Sequence, residues 1–467
     1  MSQGSIATTG VPLRERIMFG LGDTAQNVFM TVSLMFISIF YTDVFGLSPA
    51  FVGTLFLVAR IIDAITDPLV GTLTDKWVGR LGRYRTWMLW AALPYSASLV
   101  LVFWAPELSD TSKQIYAAIT YIFLIVANSC YAVPYVSLNG VVTSDPQERI
   151  DINVVRFPLS KVGGFLCNLF VPILMGYFVF AETAYRVSMS LMAVVVFVMA
   201  LLCVMGTRER VTEAEIEGGF TNKEKESGLG ALGTVKALWE NDQTRVLCAY
   251  AVTFFCAVAL RGGATAYYVL YYLNAGEYWL SVMLTSGAVI SMLPAFFAGW
   301  LIKQKICNSR TILVWSQFIS AILCGFGYLI KQDGIILALI LNNLIVFAMT
   351  CQDVVVWSAT GNCADYGVAK YKKNIRGVIN GALMFCLKLG MAIGGALIGY
   401  ILAFYGYTGG KNITPEQLDA ILLITYGVPL VFFLIAGFIG YKWKLTPEYM
   451  VDFKEKQTEQ LIPAKAN

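Results

Sequence analysis

Residues 50–72 read AFVGTLFLVARIIDAITDPLVGT, and this stretch decides the fold. It is apolar around most of a helix, and at about 1.5 Å per residue it crosses a hydrocarbon core roughly 30 Å thick. Three charges interrupt it: Arg60, Asp63 and Asp67. Spacings of three and four put all of them on one helical face. A charge at the centre of a span costs about 2.5–3.5 kcal/mol unless it faces a cavity or a partner. Two carboxylates one turn apart repel each other when both are ionised and dry, so they share a proton or close around a cation. Thr66 adds a hydroxyl oxygen beside them. The bland alternative is an ion-pair network in which Arg60 fixes the helix, but one guanidinium leaves one of two carboxylates uncompensated.

The rest of the chain has the same character. Of 467 residues 57% are hydrophobic and only 14% charged, with a mean hydropathy of +0.65, which excludes a soluble globular protein. About twelve apolar runs recur, over 24–44, 50–72, 87–105, 114–140, 155–180, 187–206, 246–272, 278–301, 311–330, 335–358, 378–404 and 419–442. They are too long and too uniformly apolar for the alternating strands of a barrel. The expected fold is an all-α membrane protein with twelve transmembrane helices in two six-helix bundles. The bundles are expected over 1–206 and 244–443, joined by a charged cytoplasmic linker, 207–243, and followed by a polar cytoplasmic tail, 444–467. Transporters are commonly built from such repeats, with the substrate site where they meet; two unrelated fused bundles are the other reading.

Basic residues fix the expected orientation. With the N-terminus inside, Arg14, Arg16, Lys76, Arg80, Arg83, Arg85, Arg149, Arg208, Arg210, Lys223, Lys225, Lys236, Lys303, Lys305, Arg310, Lys370, Lys372, Lys373 and Arg376 all fall on the cytoplasmic side. The opposite loops hold only Lys113, Arg186, Lys331 and Lys411, so both termini are expected in the cytoplasm. The net charge of +4 is thereby explained by topology and points to no nucleic-acid partner. No cleavable signal precedes the first span. In the loop GTLTDKWVGRLGRYRTW, Asp75 and the arginines can pair at a cytoplasmic gate or serve topology alone. The ten cysteines form no CxxC and lie mostly inside spans, so neither a disulfide framework nor a metal cluster is expected.

The pair in the second span needs a further positive partner, and Lys388 in ALMFCLKLGMAIGGALIG of the eleventh is the best candidate for coupling, together with Arg60. Histidine is absent, so a proton relay must use carboxylates or water. Other polar residues at membrane depth are Asn27, Asn128, Ser129, Arg156, Lys161, Arg261, Gln352, Asp353 and Trp357. Sugars suit such a lining, because hydroxyls need amide, carboxylate and guanidinium partners while a ring face lies on an aromatic. Each residue also has a plain reading: the amides as interhelical bonds, Trp357 as packing or an interface anchor, and Lys161 as a snorkelling side chain.

The motifs GLGDTAQN, FYTDVFGLSPAFVGTLFLVARIIDAITDPLVG, GRYRTW, VPYVSL, DPQER, ADYG and FCLKLG, in this order, resemble the glycoside–pentoside–hexuronide:cation symporters from about residue 12 to beyond 440. The resemblance implies a major-facilitator fold in a bacterial inner membrane and uptake of a sugar or glycoside with Na+, Li+ or H+, with no cofactor beyond the coupling ion. Residue by residue it implies that Asp63 and Asp67 bind the cation, with Thr66 and Ser129 supplying neutral oxygens. Lys388 falls on the family's lysine near that site, and Arg156 on a sugar-site arginine. Asn27 stands where the family's melibiose-carrying member has a sugar-binding aspartate. Ala132, Val136 and Asp353 depart from that member, which moves the expected substrate away from melibiose. Arg261 and Trp357 are similar to residues of xyloside-type members, so a pentoside is the first expectation, with Asn27, Asn128, Arg156, Arg261, Asp353 and Trp357 as sugar contacts. Two guanidinium forks, Arg156 and Arg261, keep an anionic hexuronide or glucuronide open.

The expected partners are therefore a small sugar, a monovalent cation and the lipid bilayer, with the monomer as working unit. An enzyme is disfavoured, since the chain has no histidine, HExxH, Walker loop or GxSxG. A receptor or channel is the remaining rival.

Overall fold

The computed structural model describes residues 10–143, 145–210, 238–371, 376–410, 413–446 and 449. Most of the linker and tail, with Lys223, Lys225, Lys236, Lys372, Lys373 and Lys411, lies outside them, as do the side chains of Asp75, Arg149 and Arg376. Among the described residues the chain is helical, apart from one two-residue bridge, Gly79 with Gly82, in a loop.

The helices are α1 (Leu13–Met35), α2 (Pro49–Lys76), α3 (Arg83–Val102), α4 (Asp110–Leu138), α5 (Pro146–Tyr177) and α6 (Ala181–Gly206). There follow α7 (Asp242–Tyr267), α8 (Gly276–Ile290), α9 (Leu293–Lys303), α10 (Ser309–Gly327), α11 (Ile335–Thr350), α12 (Asp353–Tyr371), α13 (Arg376–Phe404), α14 (Pro415–Leu422) and α15 (Val428–Gly440). Among the described residues ten stretches are long and apolar enough to span a membrane; α1 with its bent continuation Ile37–Val44 makes an eleventh. The remaining expected span is α3, which has the length, 20 residues, but is diluted by Arg83, Arg85, Ser96 and Ser98. The spans expected over 278–301 and 335–358 are each broken into two helices, α8 with α9 and α11 with α12.

Contacts divide the chain into two units: Met1–Leu47 with Val58–Phe220, and Ser48–Leu57 with Thr221–Asn467. The start of α2 thus groups with the second unit. Inside the first unit α1 packs on α5 and α6, and α3 packs on α4 and α6. Inside the second, α7 packs on α13 and α15, and α10 packs on α11 and α15. Counted in spans, both units have the same wiring: first on fifth and sixth, third on sixth and fourth. Small residues make the first-on-fifth contact close in each. A methyl on Gly163 of α5 would sit on the Thr24 carbonyl, and one on Gly394 of α13 would lie 2.5 Å from the Cys256 carbonyl oxygen.

Outside the apolar slab, charges tie the first unit together. Gly82, at a φ of 112°, turns the chain into α3 and bares that helix's first backbone N–H groups. Glu209, just past α6, accepts from the amides of Arg83, Tyr84 and Arg85, each at 2.9 Å. Arg210 Nη1 and Nη2 reach the two oxygens of buried Glu15 at 2.7 and 2.6 Å. The charged segment LRER thereby becomes the first turn of α1 rather than a loop before it.

Candidate functional site

The sequence triad of α2 does fall on one face, and α4 completes it. Asp63 is 2% exposed. Its Oδ2 accepts from Arg60 Nη1 at 3.1 Å and its Oδ1 from Ser129 Oγ at 3.1 Å. Thr66 Oγ1 donates to the Asp63 carbonyl at 3.2 Å, which leaves its lone pairs available. Asp67 is half-buried one turn further on. Pro68, inside the helix, has no N–H to give, so the Ala64 carbonyl loses its ordinary helical donor beside both carboxylates. Asn128, next to Ser129 on α4, is buried with Oδ1 lacking a hydrogen-bond partner. Asp63 is thus held between one guanidinium and one hydroxyl.

A second cluster in the same unit contains a residue that the sequence reading did not single out. Arg156 of α5 donates through Nε to Asp23 Oδ2 at 2.9 Å. Its guanidinium lies 5.3 Å from the Tyr135 ring centroid and 6.0 Å from that of Phe19. Beneath it the stacked rings of Phe19, Tyr135, Tyr131 and Tyr95 form a ladder. The tyrosine hydroxyls donate to carbonyls of α1 at Phe19, Gly22 and Ala25. Gly22 makes this approach possible, since a Cβ there would lie 2.5 Å from Tyr135. Asn27 follows Asp23 by one turn, and its Nδ2 donates to the Asp23 carbonyl at 3.1 Å.

In the second unit the expected sugar residues lie on α7 and α12. Arg261 is 4% exposed and has internal acceptors: Nη2 donates to Asn342 Oδ1 at 2.7 Å and Nη1 to the Thr425 carbonyl at 3.4 Å. Thr425 lies in the π turn Leu423–Gly427, whose i→i+5 bonding reshapes the helix there. Asp353 begins α12 after the break, where its charge suits the positive helix end, and it accepts from Gln352 Nε2 at 2.6 Å. Trp357 is exposed one turn later, Lys388 is half-buried on α13, and Lys161 is exposed on α5. Among the described residues no group of three or more His, Cys, Asp or Glu is placed to hold a metal ion.

This architecture has counterparts among known proteins. The family model described as MFS/sugar transport protein matches residues 18–447. The chain belongs to that family. The inner membrane symporter YicJ of Escherichia coli (strain K12) is 31% identical over 92% of this chain and 91% of its own length. The isoprimeverose transporter of Lactiplantibacillus pentosus is 29% identical over 96% of this chain and 93% of its own. Among solved structures, a bacterial homolog of the human lysosomal transporter Spinster, inward-facing and unoccupied, superposes with a TM-score of 0.67 over 95% of this chain and 97% of that one. At 12% identity that likeness speaks to fold alone. The chain is a multi-pass membrane transporter of the major-facilitator type, not an enzyme, and its relatives include a symporter and an isoprimeverose transporter.

Proposed function

We propose that this transporter carries an uncharged glycoside of the pentoside class into the bacterial cytoplasm by alternating access, coupled to Na+ or H+, with both termini cytoplasmic. The observation that carries the proposal is the divided coordination of Asp63, one oxygen on Arg60 and the other on Ser129. An entering cation takes the Oδ1 side, with Ser129, Thr66, Asp67 and the Ala64 carbonyl as further oxygens, and so weakens the hold of Arg60. Coupling then follows from linkage: if the cation-loaded carrier binds sugar better, the sugar-loaded carrier binds the cation better by the same factor. Lys388, on α13, is assigned a coupling role in the same reading.

On the sugar side, Asp23, Arg156 and Asn27 offer an acceptor, a donor fork and an amide within one turn of α1 and its neighbour α5, with Tyr135 as a ring platform. Asn128, with an Oδ1 that has no hydrogen-bond partner, Asp353 and Trp357 are further sugar contacts in this reading. A neutral substrate is favoured because Arg156 is already matched by Asp23 and Arg261 is engaged in the core. We place Arg261 in the scaffold rather than against sugar.

Proteoliposomes given an inward Na+ or H+ gradient test the proposal with xylosides and the corresponding glucuronides. Gradient-accelerated xyloside uptake, lost in Asp63→Cys, is the expected result. No acceleration by either ion, or full coupling in Asp63→Cys, refutes symport at this site; preferential glucuronide uptake refutes only the neutral substrate.

A further inference from the structure

Where α7 and α10 begin and α15 ends, a cleft of about 630 Å³ opens in the second unit. Four cations line it: Arg245, Arg310, Lys442 and Lys444. Its acid, Asp242, is engaged by Lys370 Nζ at 3.5 Å and by Gln243 Nε2 at 2.9 Å. Among the described residues none of the four cations has a carboxylate partner. In the first unit, by contrast, Arg16 is paired with Asp151 and Arg210 with Glu15.

Position compounds this excess of charge. Arg245 and Arg310 stand in the first turns of α7 and α10, where a helix end is itself partly positive and acids are the favoured residues. Four side-chain cations against the one acid Asp242 therefore leave this concavity with an excess of positive charge that favours an anion.

The walls identify the anion. Val246, Ala249 and Ile439 give the cleft an apolar floor, of no use to a soluble phosphate. Trp239 and Tyr441 stand at its rim, 70% and 64% exposed, as aromatics do at the headgroup level of a bilayer. Arg245 Cζ lies 6.0 Å from the Trp239 ring centroid and Arg310 Cζ 4.3 Å from that of Tyr441, which holds both guanidiniums at that level. The segment after α15 is held in shape, because the Lys444 amide donates to Gln243 Oε1 at 2.8 Å and Trp443 is buried beside it.

We propose that this cleft binds the phosphodiester headgroup of an anionic phospholipid from the adjoining leaflet. The guanidiniums grip phosphate oxygens, the lysines complete the charge, and the acyl chains lie over the apolar floor. The site is independent of the transport reading and stands or falls without it.

Native mass spectrometry of the full-length protein in detergent tests it, with phosphatidylglycerol and phosphatidylcholine of identical chains and glycerol phosphate as soluble competitor. The wild type is expected to retain phosphatidylglycerol about tenfold more strongly, and Arg310→Gln alone to weaken that retention about fivefold. The combined variant R245Q/R310Q/K442Q/K444Q loses the preference, whereas K303Q/K305Q, at the end of α9, keeps it. Equal retention of the two lipids by the wild type overturns the proposal, as does an unchanged preference in both Arg310→Gln and the combined variant. Loss of the preference in K303Q/K305Q, or displacement of the lipid by equimolar glycerol phosphate, overturns it as well.

Discussion

Arg156 donates to Asp23 across α1 and α5 at 2.9 Å while its guanidinium lies over the Tyr135 ring. The acid fixes one edge of the planar cation and the ring supports its face, so the remaining N–H groups point in a set direction. In the proposed sugar site this pair would offer an acceptor and several donors whose ordering cost was met on folding.

Asp23→Asn keeps the shape and removes the charge, and Arg156 loses the group that orients it. Uptake at low sugar concentration is expected to fall at least about tenfold, the loss typical of one charge-assisted hydrogen bond. Arg156→Lys is expected to do no better, because a lysine cannot use the Nε geometry. Initial-rate uptake checks both, and near-normal rates in Asp23→Asn would remove the pair from the sugar site.

For Asp63 two effects must be separated. Removing the carboxylate leaves Arg60 without its partner, at a cost of about 3 kcal/mol, so Asp63→Asn is expected to be less stable as well as uncoupled. The paired variant Arg60→Met/Asp63→Asn recovers thermal stability and stays uncoupled. Ser129→Ala takes away one neutral oxygen and is expected to raise the cation concentration for half-maximal uptake about tenfold. Unfolding temperature and cation-dependent uptake, measured side by side, separate structure from coupling.

These residues differ in how far the sequence revealed them. Asp63 and Asp67 stood out because charge inside an apolar run is costly, and the same pattern located the spans. Asp23 was missed because the expected first span began at residue 24, one position too late. The helix begins at Leu13, and its charged first turn is affordable only through distant partners, Arg210 and Asp151. Hydropathy cannot see such partners. The break between α11 and α12 was hidden for the opposite reason, since apolar residues continue on both sides of it. Arg261 was visible as a buried charge, but its acceptors, Asn342 and the Thr425 carbonyl, lie far along the chain.

Glu209 makes a claim on stability alone. Its carboxylate serves three amides at the start of α3, which a neutral amide side chain serves less well. Glu209→Ala is expected to cost about 1–2 kcal/mol, the upper range for a lost helix cap, seen as a lower unfolding temperature. The sugar KM should not move, and a changed KM at unchanged stability would show that the cap acts on transport.

Arg261 offers the sharpest choice between scaffold and site. Its fork joins α7 to Asn342 of α11 and to the π turn before α15, three elements that a lysine's single ammonium cannot hold in the same geometry. Arg261→Lys is therefore expected to lower stability by about 2–4 kcal/mol, with the KM of folded protein changing less than about threefold. The apolar pair Arg261→Met/Asn342→Leu should regain much of that loss, because a buried charge and its polar acceptor are then removed together. Thermal unfolding in detergent reads the first quantity and uptake kinetics the second. A KM that rises tenfold while the unfolding temperature stays put would return Arg261 to the sugar site, and with it the second guanidinium that an anionic glycoside requires.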